Sequence, residues 1–332
     1  MGYQGATACA QPSPGRVVYL DHAATTPLRP QALETMTAEL ASLGNPSSLH
    51  MAGRRARRVV EESREQIAES FGARPSEVVF TSGGTEADNL AVKGLYWARR
   101  AAAPARRRIL ATPIEHHAVL DSVHWLADHE GAEITWLPVD TTGLVTVDAL
   151  RAAIGTDQDS VALITVMWAN NEVGTVQPIC DLAAVAHEYG IVFHSDAVQA
   201  AAQLPVDFAV SGADALSISG HKLGGPVGVG ALLLARNAEP IPVLHGGGQE
   251  RDIRSGTLDT PAISAFATAV QLTVKELADE ARRLCVLAAD LIAGIQAAVP
   301  DAVLNGPPPG PGRLPGNVHF SFPGCEGDAL LM

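Results

Sequence analysis

Positive charge, cysteine and long apolar runs are all scarce in this sequence, and each shortage removes a class of protein. Its 23 Lys and Arg against 36 Asp and Glu leave a formal net charge of -13. Binding a polyanion generally needs a basic face, so no nucleic-acid partner is expected. The basic stretch Arg54, Arg55, Arg57 and Arg58 does not change this. It precedes Glu61, Glu62 and Glu65 at helical spacing, so Arg57 with Glu61 and Arg58 with Glu62 are expected as exposed i,i+4 pairs. The four cysteines, Cys9, Cys180, Cys285 and Cys325, are scattered and form no CxxC. They make neither a zinc site nor a disulfide framework, which suits a reducing cytoplasm. No apolar run reaches the roughly eighteen residues of a membrane helix, so no membrane association is expected. The N-terminus lacks the apolar core of a secretion signal, and Met1-Gly2 lacks the Ser or Thr at position six that myristoylation requires.

Two cofactor classes fall to missing residues. Ser82-Gly83-Gly84-Thr85 turns a strand into a helix but has no Walker lysine, which excludes a nucleoside triphosphate. Gly225-x-x-Gly228-x-Gly230 leads into an apolar strand, whereas a dinucleotide fingerprint must open a helix. Glu115-His116-His117 could suggest a metal, yet adjacent histidines seldom converge on one ion, and no second carboxylate-rich segment completes a site. No metal is expected.

What is present describes a globular enzyme. The 332 residues, 47% apolar and 18% charged, suffice for one large domain and a smaller one without metal or disulfide support. Residues 1 to 15 lack periodicity and are expected to be a flexible extension; a large cofactor-binding domain is expected over 16 to 260 and a partial small domain over 261 to 332. Short apolar runs alternate with helical patterns from Val78-Val79-Phe80-Thr81 through Ile109 to Ala111, Ile134 to Leu137, Val161 to Trp168 and Ile191 to His194, reaching Ala215 to Ser219 and Val229 to Leu234. Such alternation predicts an α/β fold, a mostly parallel sheet covered on both faces with ligands at the C-terminal strand ends. Thr85, His116, Asn171, Asp196, Gln199, Ser219, His221 and Lys222 fall at those ends. At the turn after Phe80-Thr81, Thr85 with Asp88 fits a capping box, and the glycines let backbone approach a phosphate at the helix start. Lys222, the only lysine between Lys93 and Lys275, ends a strand among small residues, where desolvation makes an amine a nucleophile or base. A long helix from about Pro261 to Ala298 marks the expected domain change.

An imine-forming lysine, an acid for a pyridinium nitrogen, a ring to stack and a helix end for a phosphate together describe pyridoxal phosphate chemistry. The motifs LDHAATTP, GNPSSLH, TSGGTEADN, EHHAVLD, ANNEVG, SDAVQ, SISGHK and HGGGQERDIRSGT run in one order from about Tyr19 to the end. In this the chain resembles the cysteine desulfurases of iron-sulfur cluster assembly, class V aminotransferase-like enzymes of pyridoxal phosphate fold-type I. The resemblance implies a large domain with a seven-stranded, mostly parallel sheet and an incomplete smaller α+β domain. It implies that Lys222 holds the cofactor and moves the substrate Cα proton, that Asp196 keeps the ring nitrogen protonated, and that His116 stacks on the ring and shuttles protons. Gly84, Thr85, Ser219 and His221 would bind the phosphate, Gln199 the ring hydroxyl, and Asn171 ring and substrate. Thr257 would reach the phosphate of a neighbouring subunit, which makes the expected partners a second copy of the chain, L-cysteine, and a sulfur acceptor or iron-sulfur scaffold protein. A selenocysteine lyase, another class V enzyme, or a non-catalytic dimerising fragment are the alternatives. In the family the sulfur-accepting cysteine lies beyond the segment matching Phe320 to Leu331, so the chain is expected to stop before it, with Cys325 a packed or loop thiol.

Overall fold

The structure, a computed structural model, describes residues 18–331; the expected extension over 1 to 15 lies outside them. Seven short strands form one sheet: β1 (Val78–Thr81), β2 (Arg108–Ala111), β3 (Glu133–Trp136), β4 (Val161–Thr165), β5 (Val192–Asp196), β6 (Ala215–Ser219) and β7 (Gly230–Leu234), in the order β1-β7-β6-β5-β4-β2-β3. Every pairing is parallel except those of β7, which runs antiparallel to both β1 and β6. β4, β6 and β7 are buried at every residue, which explains why they read as unbroken apolar runs rather than alternating ones.

Helices before and between the strands cover both faces. α1 (Pro30–Leu40) and α2 (Met51–Ser70) precede the sheet, and α3 (Gly84–Ala102), α4 (His117–Glu130), α5 (Val147–Ile154) and α6 (Ile179–Glu188) follow β1 to β4 in turn. α3 and α4 pack Leu90, Leu95, Val123 and Leu126 against Val79, Ile109, Leu163 and Leu232 on one face. On the other, α2, α5 and α6 bring Ile67, Leu150 and Leu182 to Phe80, Leu110, Ile164 and Phe193. Two short helices, α7 (Ala200–Gln203) and α8 (Phe208–Ser211), lead from β5 to β6.

α9 (Thr260–Ala298) starts with Asp259 accepting from the Ala262 amide at 3.0 Å and with Pro261 in its first turn. Its first part adds Ile263, Phe266 and Val270 to the second core, whereas Val286, Leu287 and Leu291 further along are exposed. β8 (Val303–Leu304) and β9 (Phe320–Ser321) then pair antiparallel, with a Pro/Gly-rich loop between them and α10 (Gly327–Leu331) beyond. Buried Arg313 pins that loop by donating to the carbonyls of Asn305 at 2.8 Å and Asn317 at 3.1 Å.

Two local expectations fail for physical reasons. Glu61 does not pair with Arg57, because Arg64 takes it from one turn further on at 3.1 Å; Arg58 with Glu62 forms as expected, at 3.7 Å. The capping box at α3 is absent. Gly83 is the N-cap and has no side chain, Glu86 accepts from the Ser82 amide at 2.8 Å, and Asp88 is turned inward, 1% exposed.

Candidate active site

All the parallel strands but the edge strand β3 send polar residues from their C-terminal ends into one cavity of 420 Å³. Nine of the ten expected site residues line it: Gly84 and Thr85 after β1, His116 after β2, Asn171 after β4, Asp196 and Gln199 at and after β5, and Ser219, His221 and Lys222 at and after β6. Thr257 does not; it stands exposed on the loop before α9. Asp21, Ala23, Ala24, Asp88, Met167, Glu172 and Val198 complete the lining and were not expected there.

The LDHAATTP segment is a cover for the lysine loop. Thr26 donates its amide to the His221 carbonyl at 3.0 Å, and the Thr25 hydroxyl lies 3.2 Å from His221 Nδ1. Lys222 Nζ donates to the Ala23 carbonyl and, at 2.8 Å, to that of Ala24, while Gln199 Nε2 also donates to Ala23 at 2.8 Å. Burial lowers the Lys222 ammonium below the ordinary lysine value, with Asp196 and Asp21 pulling the other way. His221 is likewise lowered, by burial and then by the neighbouring lysine charge.

Opposite them, Asp196 is 5% exposed and is held by its own turn, one oxygen accepting from the Val198 amide at 2.8 Å. Burial raises its carboxyl; the Val198 amide, His116 and Lys222 oppose that rise. His116 caps α4, its Nδ1 accepting from the Ala118 amide at 3.1 Å. A neutral ring therefore carries its proton on Nε2.

The phosphate-type turn is built by close backbone approach. Gly83 has φ of 147°, a conformation that disfavours side chains, and a Cβ on Gly230 would stand 2.8 Å from the Gly83 Cα. α3 opens here with first-turn amides that have no intrahelical acceptor.

Beneath the cavity lies a polar layer that sequence patterns did not disclose. Glu115 accepts from the Thr112 hydroxyl at 2.6 Å and the Met167 amide at 2.8 Å, and burial raises it to about 8. His194, fully buried in β5, is lowered by burial to about 3. Its neighbour Asp88 is raised well above the carboxylate range by burial, then by Asp196 and Glu115, with a Ser217 hydrogen bond opposing. The only hint in the sequence was histidine and serine inside apolar strands. Cys180, Cys285 and Cys325 are exposed, and none of them lines the cavity.

Comparison with known proteins agrees with this architecture. Residues 18–332 match the model of the aminotransferase class-V family. An IscS-like cysteine desulfurase of Mycobacterium tuberculosis is 58% identical over 95% of this chain and 80% of its own length. The cysteine desulfurase IscS of Dictyoglomus turgidum is 44% identical over 96% of this chain and 78% of its own. Among solved structures, a NifS-like protein superposes with a TM-score of 0.88 at 35% identity, covering 94% of this chain and 84% of that one. SspA, solved in complex with cysteine, gives 0.71 at 41% identity over 76% and 72% of the two chains. The chain belongs to the aminotransferase class-V family and, within it, to the cysteine desulfurases.

Proposed function

We propose that the chain uses pyridoxal phosphate to remove sulfur from L-cysteine, with Lys222 as the covalent anchor and base. The observation that carries this reading is the convergence of an amine, a buried carboxylate, an imidazole and an open helix start in one cavity. The lining fits the cofactor by chemistry. Asp196 offers an anion for a pyridinium, the first turn of α3 with Thr85 and Ser219 offers donors for a phosphate, and the side-chain-free surface at Gly84 lets that phosphate come close. The cofactor, when bound, supplies an electron sink that makes the Cα hydrogen of an amino acid acidic.

The chain's own groups supply the rest. Burial lowers the Lys222 ammonium from its ordinary value, which eases loss of its proton, and the carbonyls of Ala23 and Ala24 hold Nζ at the mouth of the cavity, positioned to give and take a proton. His116, with its proton on Nε2, is a second proton carrier on the same cavity. Asn171 and Gln199 orient ring and substrate. The SspA complex with cysteine supports L-cysteine as the substrate. Exposed Thr257 supports a homodimer whose subunits share phosphate binding, and the kinship with IscS-type enzymes supports transfer of sulfur to an acceptor or iron-sulfur scaffold protein. Free cysteines fit a cytoplasmic location. The large domain would span 16 to 260, with residues 261 to 332 in a smaller one.

Borohydride reduction after mixing with pyridoxal phosphate, followed by peptide mapping, tests the assignment. The expected outcome is a label on Lys222. A label on Lys93 or Lys275 overturns it.

A further inference from the structure

Thr165, His194 and Ser217 stand side by side on β4, β5 and β6, on the sheet face that α3 covers. The Thr165 hydroxyl is 2.9 Å from His194 Nδ1, and His194 Nε2 is 3.1 Å from the Ser217 hydroxyl. Asp88, projecting from α3, closes the row. It lies 3.6 Å from His194 Nε2 and reaches the cavity wall, yet its Oδ1 has no hydrogen-bond partner among the described residues. Nothing in the proposed chemistry uses this row.

Its charges do not balance as drawn. Three carboxyl groups, Asp88, Glu115 and Asp196, sit close enough to influence one another, at 1%, 5% and 5% exposure. Their surroundings differ. Asp196 faces Lys222 and His116 and receives a backbone amide. Glu115 faces a hydroxyl and an amide, with its second oxygen unpartnered. Asp88 faces Ser217 and an imidazole, and no Arg or Lys among the described residues pairs with it. Buried like charges do not all ionise, and the carboxyl that faces the Lys222 amine and receives a backbone amide is the one best placed to keep its charge. The 3.6 Å approach of Asp88 and His194 is not an ion pair, because burial lowers the imidazole to about 3 and so leaves it neutral at ordinary pH.

We propose that Asp88 is a positioning residue that carries its own proton, leaving Asp196 the sole anion of the inner wall toward the ring nitrogen of a bound cofactor. This rests on reading the cavity as a pyridoxal phosphate site. The row from Thr165 through His194 and Ser217 then holds a neutral acid in place. It also couples α3, whose first turn offers the phosphate donors, to β5, which carries Asp196.

The test begins on the cofactor-free protein. Infrared spectra at neutral pH should show a protonated-acid carbonyl band that is present in the parent, persists in Glu115→Gln and is absent from Asp88→Asn. Absence of any such band from Glu115→Gln shows Asp88 to be ionised and overturns the proposal, even if Asp88→Asn does not fold. Where Asp88→Asn does fold, its dissociation constant for pyridoxal phosphate should stay within about threefold of the parent, and Asp196→Asn should weaken binding by about tenfold or more. The pH midpoint of the bound cofactor's absorbance should be the same in Asp88→Asn and the parent. A lowered midpoint in Asp88→Asn would mean that a negative charge had been removed, and it overturns the proposal. Failure of the parent to bind pyridoxal phosphate refutes the cofactor reading instead, and leaves the infrared result to decide the charge of Asp88.

Discussion

Asp196 and Lys222 were legible in the sequence because both are charged residues at strand ends, where an open α/β sheet presents ligands. Asp88, His194 and Glu115 were not, since each has an ordinary local explanation. Asp88 fits a capping spacing, and only the pairing of β5 with β6, which sets Asp196 opposite Ser217 and His194 opposite Ala215, makes the space it turns into polar. The legible pair yields the prediction of this scale. Asp196→Ala should retain some pyridoxal phosphate, because the donors at α3 and the Lys222 amine remain. It should slow exchange of the Cα hydrogen of L-cysteine or L-alanine by at least about 10²-fold, the loss expected when a preorganised charge is removed from a reacting centre. Proton NMR in heavy water measures this directly, and unchanged exchange would remove Asp196 from its role.

At the scale of elements, β1 is an edge strand whose free side is occupied by side chains rather than by another strand. Arg64 of α2 donates to the Val78 carbonyl at 2.8 Å, Glu250 accepts from the Phe80 amide at 2.8 Å, and the two side chains meet in a bidentate pair at 2.7 Å and 2.7 Å. Arg251 donates to the Val78 carbonyl as well, at 3.0 Å. These groups cover an edge that would otherwise invite another strand, and they tie the HGGGQERDIRSGT loop, with Thr257 in it, to the sheet. The sequence showed that loop as polar and glycine-rich, and its reach toward a neighbouring subunit was what the family resemblance implied. Its anchoring stayed hidden because Arg64 and Glu250 are 186 residues apart. Both are almost fully buried, so Glu250→Ala leaves the buried Arg64 guanidinium with only Glu61 as an anionic partner and should cost about 3 kcal/mol, the lower end for a broken buried pair, read as a lower urea midpoint. The exposed Arg58–Glu62 pair serves as the control, and its removal should cost less than about 1 kcal/mol. The approach of β7 to the phosphate-type turn gives a second test. A Cβ on Gly230 would stand 2.6 Å from the Ile218 carbonyl oxygen and 2.8 Å from the Gly83 Cα, backbone atoms that cannot swing aside. Gly230→Ala should therefore destabilise the fold by about 1–3 kcal/mol and weaken pyridoxal phosphate binding by displacing the turn. Equal affinity in the variant would separate the turn from the site.

For the whole molecule, the buried layer under the cavity sets how stability depends on pH, and its members act in opposite senses. His194 has a folded value of about 3, below its ordinary 6.5. As pH falls from 6.5 toward 3 the unfolded chain gains a proton that the fold refuses, so stability drops with falling pH. Glu115 is the reverse, with a folded value of about 8 above an ordinary 4.5. Between those limits the fold keeps a proton that the unfolded chain releases, so stability drops as pH rises, and Asp88 is shifted the same way. From 4.5 to 6.5 the two slopes oppose each other; above 6.5 the carboxyls act alone. The cofactor-free protein should therefore lose melting temperature as pH is raised from 6.5 to 8, with Glu115 contributing roughly 2 kcal/mol over that interval. Glu115→Gln can still accept from Thr112 and the Met167 amide but has no proton to release, so its melting temperature should fall less steeply across the same interval, Asp88 supplying the remainder. Differential scanning fluorimetry of parent and variant in matched ionic strength decides the matter. Parallel curves would mean that Glu115 does not titrate there, and that its charge is balanced by a group other than Thr112 and the Met167 amide.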